Sequence, residues 1–217
     1  ISENIATDSM YIDWGDGNFN AVYATSITLD SSFHISQGLS LYKHVYTGTH
    51  TYASLPAAGY YIISPLFQYR LNYASNIIDG QLVDLRFYVQ ALVAIDTTTG
   101  FKNNSPAWEP LSPQIAHTHT SFSQPLSYND TDGDSIVFEL LPPLVNDNVA
   151  VPSYLFPNQF CQNIGQVSSL SISSAMDKVT WNSPCSQGIF ALACVAKKYR
   201  NGRLLGSVMS DQNIYVS

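Results

Sequence analysis

Short alternating runs of apolar and polar residues, separated by turn-forming residues, dominate this sequence. Gly, Pro, Asn and Asp interrupt the chain roughly every ten residues, and no stretch keeps a helical period for about a dozen residues. Strand-forming aromatic residues are frequent, with 14 Tyr and 10 Phe, whereas charged residues make up only 12% of the chain. The sequence therefore predicts an all-β protein.

The charge and hydropathy of the chain exclude two classes of partner. The formal net charge is −7, which repels phosphate backbones and anionic lipid. The longest apolar run, residues 188–196, is well short of the roughly 18 residues needed to cross a bilayer. We therefore expect neither nucleic-acid binding nor membrane insertion. Because the chain begins at Ile1 without a targeting signal, we also expect it to be part of a longer protein.

A change in composition near residue 103 predicts a division of the chain. Lys102-Asn103-Asn104-Ser105-Pro106 follows a strand-like stretch, and two further prolines, Pro110 and Pro113, come soon after it. Such Asn- and Pro-rich segments are typical of linkers between domains. We expect two consecutive β-sandwich domains, residues 1–102 and residues 103–217.

The first half carries three separated motifs in a fixed order. The motifs are Trp14-Gly15-Asp16-Gly17, then His50-Thr51-Tyr52, then Gly59-Tyr60. This order resembles the PKD-type immunoglobulin-like domain. The resemblance implies an immunoglobulin-like sandwich in which Trp14, Asp16, Gly17, His50 and Tyr52 are structural residues around a tight turn. The half continues for over thirty residues after Ile63, where a PKD-type domain would end within roughly a dozen.

The second half resembles a different module. It has an Asp-rich turn at residues 130–135, a Thr180-Trp181 strand and a Gly188-Ile189-Phe190 strand, and Asn201-Gly202 predicts a two-residue hairpin. These motifs are similar to those of cadherin-like modules of bacterial surface proteins. A PKD-like unit followed by a cadherin-like unit resembles the large secreted proteins of Bacteroidetes linked to gliding motility and type IX secretion.

The most specific candidate site in the sequence consists of three aspartates, each two residues from the next. Asp130, Asp132 and Asp134 repel one another unless a cation lies between them, and Ca²⁺ accepts six to eight oxygen ligands. The alternative is an ordinary Asp/Gly hairpin whose carboxylates accept hydrogen bonds from turn amides. The sequence leaves both possibilities open. By analogy with cadherin-like linkers, the resemblance adds three possible ligands, Asn103, Asn104 and Asp211.

The three cysteines leave at least one unpaired within the chain. Cys161 and Cys185 occur in loop-like segments, whereas Cys194 lies in an apolar, strand-like run. We expect a disulfide between Cys161 and Cys185, with Cys194 buried and free. Such a bond indicates an oxidising setting outside the cytoplasm.

No catalytic motif stands out in the chain, and only three glutamates are available for acid or base chemistry. We therefore expect a non-catalytic extracellular module, a stalk or adhesive segment of a large bacterial surface protein, rigidified by calcium. The alternative is a polysaccharide- or ligand-binding accessory module of a secreted enzyme. Its partners would be other domains of the same protein and a surface polysaccharide or protein ligand. A cluster of three coplanar, solvent-exposed aromatic side chains would favour the accessory module, whereas a fully buried aromatic set would favour the stalk.

Overall fold

The structure is a computed structural model, and it describes residues 8–30, 41–67, 74–78, 87–95, 103–108 and 114–217. Within these ranges it contains seventeen strands and one short helix. The elements are β1 (Ser9–Asp13), β2 (Phe19–Asp30), β3 (Leu41–Tyr46), β4 (Tyr60–Phe67), β5 (Phe87–Tyr88), β6 (Ala91–Ala94), β7 (Ala107–Trp108), β8 (Gln114–Ala116), β9 (Phe122–Pro125), β10 (Tyr128–Asn129), β11 (Ser135–Leu141), β12 (Leu144–Asn146), β13 (Val149–Ala150), α1 (Pro157–Asn163), β14 (Ser169–Ser173), β15 (Lys178–Asn182), β16 (Gly188–Arg200) and β17 (Arg203–Val216). The prediction of an all-β protein is confirmed.

One large, curled antiparallel sheet organises the fold. Its main path runs β11-β16-β17-β6-β4-β1-β2-β3. The longest ladder joins β16 to β17 through the Asn201-Gly202 turn, where both residues have positive φ, 52° and 76°. That geometry matches the tight hairpin that the Asn-Gly pair predicted.

A second, smaller sheet covers one face of this hairpin. It has the order β14-β15-β9. The core between the two layers contains fully buried side chains from both, among them Trp181 of β15 and Phe190, Leu192 and Ile214 of β16 and β17. Trp181 and Phe190 meet edge to face with ring centroids 4.9 Å apart. This part of the chain is therefore a two-layer β structure around one hydrophobic core.

Strand pairing links residues on the two sides of the predicted boundary. Strand β17 pairs with β6, and β12 pairs with β5. The outer face of β16 and β17 also packs against the first half, because Tyr88 forms one buried cluster with Ala193 and Met209 and with Leu144 of the second half. The two halves thus share one sheet, and the division into residues 1–102 and 103–217 stays a prediction.

Asn76 reinforces this connection from a fully buried position. Strand β11 pairs with β16 only from Ala193 onward, and before that residue Ala74 forms an isolated bridge with Ile189. Two residues farther along β16, the Asn76 side chain pairs with the backbone: its amide nitrogen donates to the Ala191 carbonyl and its oxygen accepts from the Ala191 amide, both at 2.9 Å. It also donates to the Leu155 carbonyl at 2.8 Å.

We expect Asn76→Ala to destabilise the whole protein by about 2–3 kcal/mol, because it leaves the buried Ala191 amide without its partner and removes one donor each from the Ala191 and Leu155 carbonyls. Urea unfolding followed by tryptophan fluorescence measures this loss. The matched control is Asn146→Ala, an exposed strand position, with an expected change below about 0.5 kcal/mol. A loss below about 1 kcal/mol for Asn76→Ala would show that this contact does not hold the two halves together.

Candidate functional site

The Asp-rich turn lies between β10 and β11. Gly133 adopts a φ of 71°, a conformation that favours glycine. The Asp130 carboxylate accepts a hydrogen bond of 2.7 Å from the Asp134 amide and so braces the turn. This contact is the one that the turn alternative predicted.

A buried lysine ammonium occupies the centre of the three carboxylates. The Nζ atom of Lys198 lies 2.8 Å from Asp130, 2.5 Å from Asp132 and 2.8 Å from Asp134. It also donates to the Asn104 carbonyl at 2.8 Å, and the lysine side chain is 0% exposed. The cation that these carboxylates require is therefore supplied by the chain itself.

The alternation of β16 brings Lys198 to this place. Phe190, Leu192, Cys194 and Ala196 all face the core between the two sheets. Side chains two residues apart share a face of a strand, so Lys198 points the same way. Its cross-strand partner on β11 is Ile136, two residues after Asp134. The register therefore sets the lysine directly beneath the turn.

Arg200, one further step along this face, completes the cluster. Its guanidinium binds the Asp134 carboxylate in a bidentate manner, at 2.6 and 2.7 Å, and approaches Asp132 at 3.7 Å. Bidentate pairs of this kind are geometrically specific. Three carboxylates and two cations leave this group, which we call the lysine cluster, with a formal charge of −1.

The protonation states follow from these contacts. Hydrogen bonds from Lys198 and then from Asn104 hold the pKa of Asp132 far below its ordinary value. The hydrogen bonds from Arg200 lower the pKa of Asp134 against the effect of burial. Burial by itself lowers the pKa of Lys198, but the hydrogen bonds to the three aspartates outweigh it and raise that pKa. Asp132, Asp134 and Lys198 are therefore charged at neutral pH.

The three carboxylates are also close enough together to hold a metal ion. One oxygen from each of the three carboxylates lies within 4.8 Å of the others, a spacing that could hold a metal ion. In this arrangement, however, the Lys198 ammonium takes the position between them. A metal ion fits only if that ammonium leaves.

Of the three metal ligands that the resemblance suggested, only one lies beside the carboxylates. The Asn104 side chain donates to Asp132 at 2.7 Å and so supports the lysine cluster. Asn103 donates instead to the Leu205 carbonyl at 3.0 Å. Asp211 pairs with Ala193 in the β16–β17 ladder, five residues along β16 from Lys198, or roughly 17 Å. The structure therefore brings Asn104, but neither Asn103 nor Asp211, to the carboxylates.

The structure brings the five predicted turn residues of the first half together. Asp16 accepts a hydrogen bond from the Asn18 amide at 3.1 Å, and its other oxygen lies 2.8 Å from Nε2 of His50. The Tyr52 hydroxyl donates to the Trp14 carbonyl at 2.9 Å. Gly17 has a φ of 87°. These contacts fix the turn after β1 to the segment that contains His50 and Tyr52.

Ring stacking extends this turn into the sheet. Trp14 stacks on His50 with centroids 5.1 Å apart, His50 meets Tyr52 edge to face, and Tyr52 stacks on Tyr61 of β4 at 3.8 Å. The His50 pair with Asp16 lowers the pKa of that aspartate. Because each ring and each charge contacts another member of the group, we assign this cluster a structural role.

The cysteines pair as the loop contexts predicted. Cys161 of α1 forms a disulfide with Cys185, closing a sequence separation of 24 residues. The bond ties the short helix to the loop before β16. Cys194 is free and buried, and burial raises the pKa of its thiol to about 12.

Comparison of the chain with protein-family models, with curated proteins and with solved structures finds no match. No helix among the described residues is long and apolar enough to cross a membrane.

We expect Lys198→Met to destabilise the protein by about 3–5 kcal/mol, because it removes the ammonium that pairs with Asp130 and Asp132, while Asp134 keeps Arg200. Chemical unfolding at neutral pH measures the change. The matched control is the neighbouring Lys197→Met, which removes an exposed pair with Glu139 and should cost less than about 1 kcal/mol.

Replacing the carboxylates tests whether the loss is electrostatic. Adding Asp130→Asn and Asp132→Asn to Lys198→Met should restore part of the lost stability, since the two carboxylates left without the ammonium are then neutral and Asp134 keeps its pair with Arg200. Equal stability of Lys198→Met and Lys197→Met would contradict the account of the lysine cluster.

Proposed function

We propose that this chain is a non-catalytic extracellular module of a large bacterial surface protein, serving as a stalk or adhesive segment. The observation that carries the proposal is the disulfide between Cys161 and Cys185, since such bonds persist in oxidising compartments. In this proposal the two halves are immunoglobulin-like units, the first PKD-like and the second cadherin-like. Other domains of the same protein are the immediate partners.

The use of charged groups supports a structural role. Asp132 and Asp134 bind Lys198 and Arg200, and Asp16 binds His50. Lys198 and Arg200 neutralise the two aspartates, the Asp16–His50 contact is a hydrogen bond, and all of these contacts fix turns. A stalk segment needs rigid turns of this kind to transmit force without local unfolding.

The sequence suggested that calcium rigidifies the module, and in this proposal calcium does not have that role. We infer that the Lys198 ammonium provides the rigidity that a calcium ion would otherwise provide. Calcium would have to displace a buried ammonium that donates to three carboxylates and to the Asn104 carbonyl. The module therefore does not need Ca²⁺ to keep this turn in place.

A binding function is a second candidate, as an accessory module that holds a polysaccharide. It is favoured by three aromatic side chains that are each more than half exposed, Tyr11, Phe19 and Tyr23. The buried positions of Trp14, Tyr61 and Trp181 instead fit a core role. The exposed set is the feature that would distinguish a ligand-binding module from a simple spacer.

The proposal predicts the location and the thiol state of the natural protein. An antibody against this chain should label intact cells and detect a polypeptide larger than 23.9 kDa. Under denaturing, non-reducing conditions, alkylation should modify Cys194 but neither Cys161 nor Cys185. After reduction, all three should react. A cytoplasmic protein whose three cysteines all react without reduction would contradict the proposal.

A further inference from the structure

Three exposed aromatic side chains form a row on the first two strands. Tyr11 of β1 is 57% exposed, and Phe19 and Tyr23 of β2 are 55% and 57% exposed. We call these three residues the aromatic row. Large aromatic side chains usually contribute to cores or to binding surfaces, and here more than half of each is accessible.

The register of the β1–β2 ladder puts the row on one face. Tyr23 lies opposite Ser9, Tyr11 opposite Ala21, and Phe19 opposite Asp13. Directly opposed residues share a face of the sheet, and diagonal neighbours are roughly 7–8 Å apart. Tyr11 is therefore a diagonal neighbour of both Phe19 and Tyr23, which are themselves about 13 Å apart along β2.

The residues between the rings are small or polar. Ser9, Ala21 and Asp13 occupy the same face as the row. On the other side of Tyr11, Leu66 of β4 lies opposite it on this face and is 38% exposed. Aromatic rings with hydroxyl and carboxylate groups beside them suit a ligand that has both apolar faces and many hydroxyl groups.

A groove of about 420 Å³ borders one end of the row. Tyr23 contributes to its wall, together with Thr25, Thr47, Gly48 and Thr49. The Thr25 hydroxyl donates to the Val45 carbonyl at 3.0 Å and lies 3.4 Å from the Thr47 hydroxyl. Exposed hydroxyls thus lie beside the last ring. Binding sites of this kind combine apolar walls with a few placed polar groups.

We propose that the aromatic row and this groove bind a neutral polysaccharide. Pyranose rings present apolar C–H faces that stack on aromatic rings, and their hydroxyls can pair with the threonine hydroxyls of the groove. Asp13 beside Phe19 and the net charge of −7 disfavour acidic polymers. This inference rests on the proposed function, because a polysaccharide partner requires an extracellular module.

Affinity electrophoresis in native gels tests the inference. The gels contain mixed-linkage β-glucan, xyloglucan, galactomannan or dextran, with alginate as the acidic comparison. At least one neutral polymer should retard the wild-type chain, and alginate should not. Tyr11→Ala, Phe19→Ala and Tyr23→Ala should each weaken that retention by about tenfold without changing the melting temperature by more than a few degrees.

The matched control is Tyr42→Ala, which removes an exposed tyrosine from β3 and should bind as the wild type does. No retention by any neutral polymer, equal retention by alginate, or an equal loss in Tyr42→Ala would overturn the inference. Concentration-dependent dimers that disappear in Tyr11→Ala would assign the row to a second copy of the chain and overturn it too. In each case, surface labelling and the thiol state still test the proposed function separately.

Discussion

A single buried charge sets the arrangement of the second half of this protein. The Lys198 side chain is 0% exposed, and an ammonium removed from water is stable only if oppositely charged groups and hydrogen-bond acceptors surround it. The carboxylates of the Asp-rich turn and the Asn104 carbonyl provide these contacts. The lysine therefore fixes both the turn before β11 and the segment that follows the predicted boundary.

Strand β16 joins this charge to the rest of the fold. One face of it builds the core beneath the second sheet, while Ala191 and Ala193 on the other face are buried by residues from other parts of the chain. The buried amide of Asn76 completes its hydrogen bonding where β11 ends. Strand β16 is therefore covered on both faces by the core clusters and paired along both edges. The aromatic row lies on β1 and β2, away from this strand in the sheet order.

Much of the local structure could be predicted from the sequence. Turn residues around Trp14, the Asn201-Gly202 hairpin and the all-β class depend on short-range patterns that one strand or turn reveals. The pairing of β6 with β17 could not be predicted. The two strands are far apart in the sequence, and no pattern within either strand specifies which residues of the other it pairs with. Lys198 did leave a signal: it continues the inward-facing alternation of β16, and a lysine on a buried face implies a partner. The sequence left a bound cation and an ordinary turn as alternatives for the aspartates, and it did not show that a cation of the chain itself lies between them.

Nuclear magnetic resonance of the side-chain ammonium groups tests the central claim most directly. In a sample labelled with ¹⁵N-lysine, the spectrum of Lys198→Met identifies the Lys198 signal among the five lysines. The account predicts a protected ammonium with slow hydrogen exchange that does not change when calcium is raised to about 10 mM, well above the dissociation constants of extracellular calcium sites. A Lys198 signal that exchanges as fast as exposed lysines, or that becomes so when calcium is added, would contradict it.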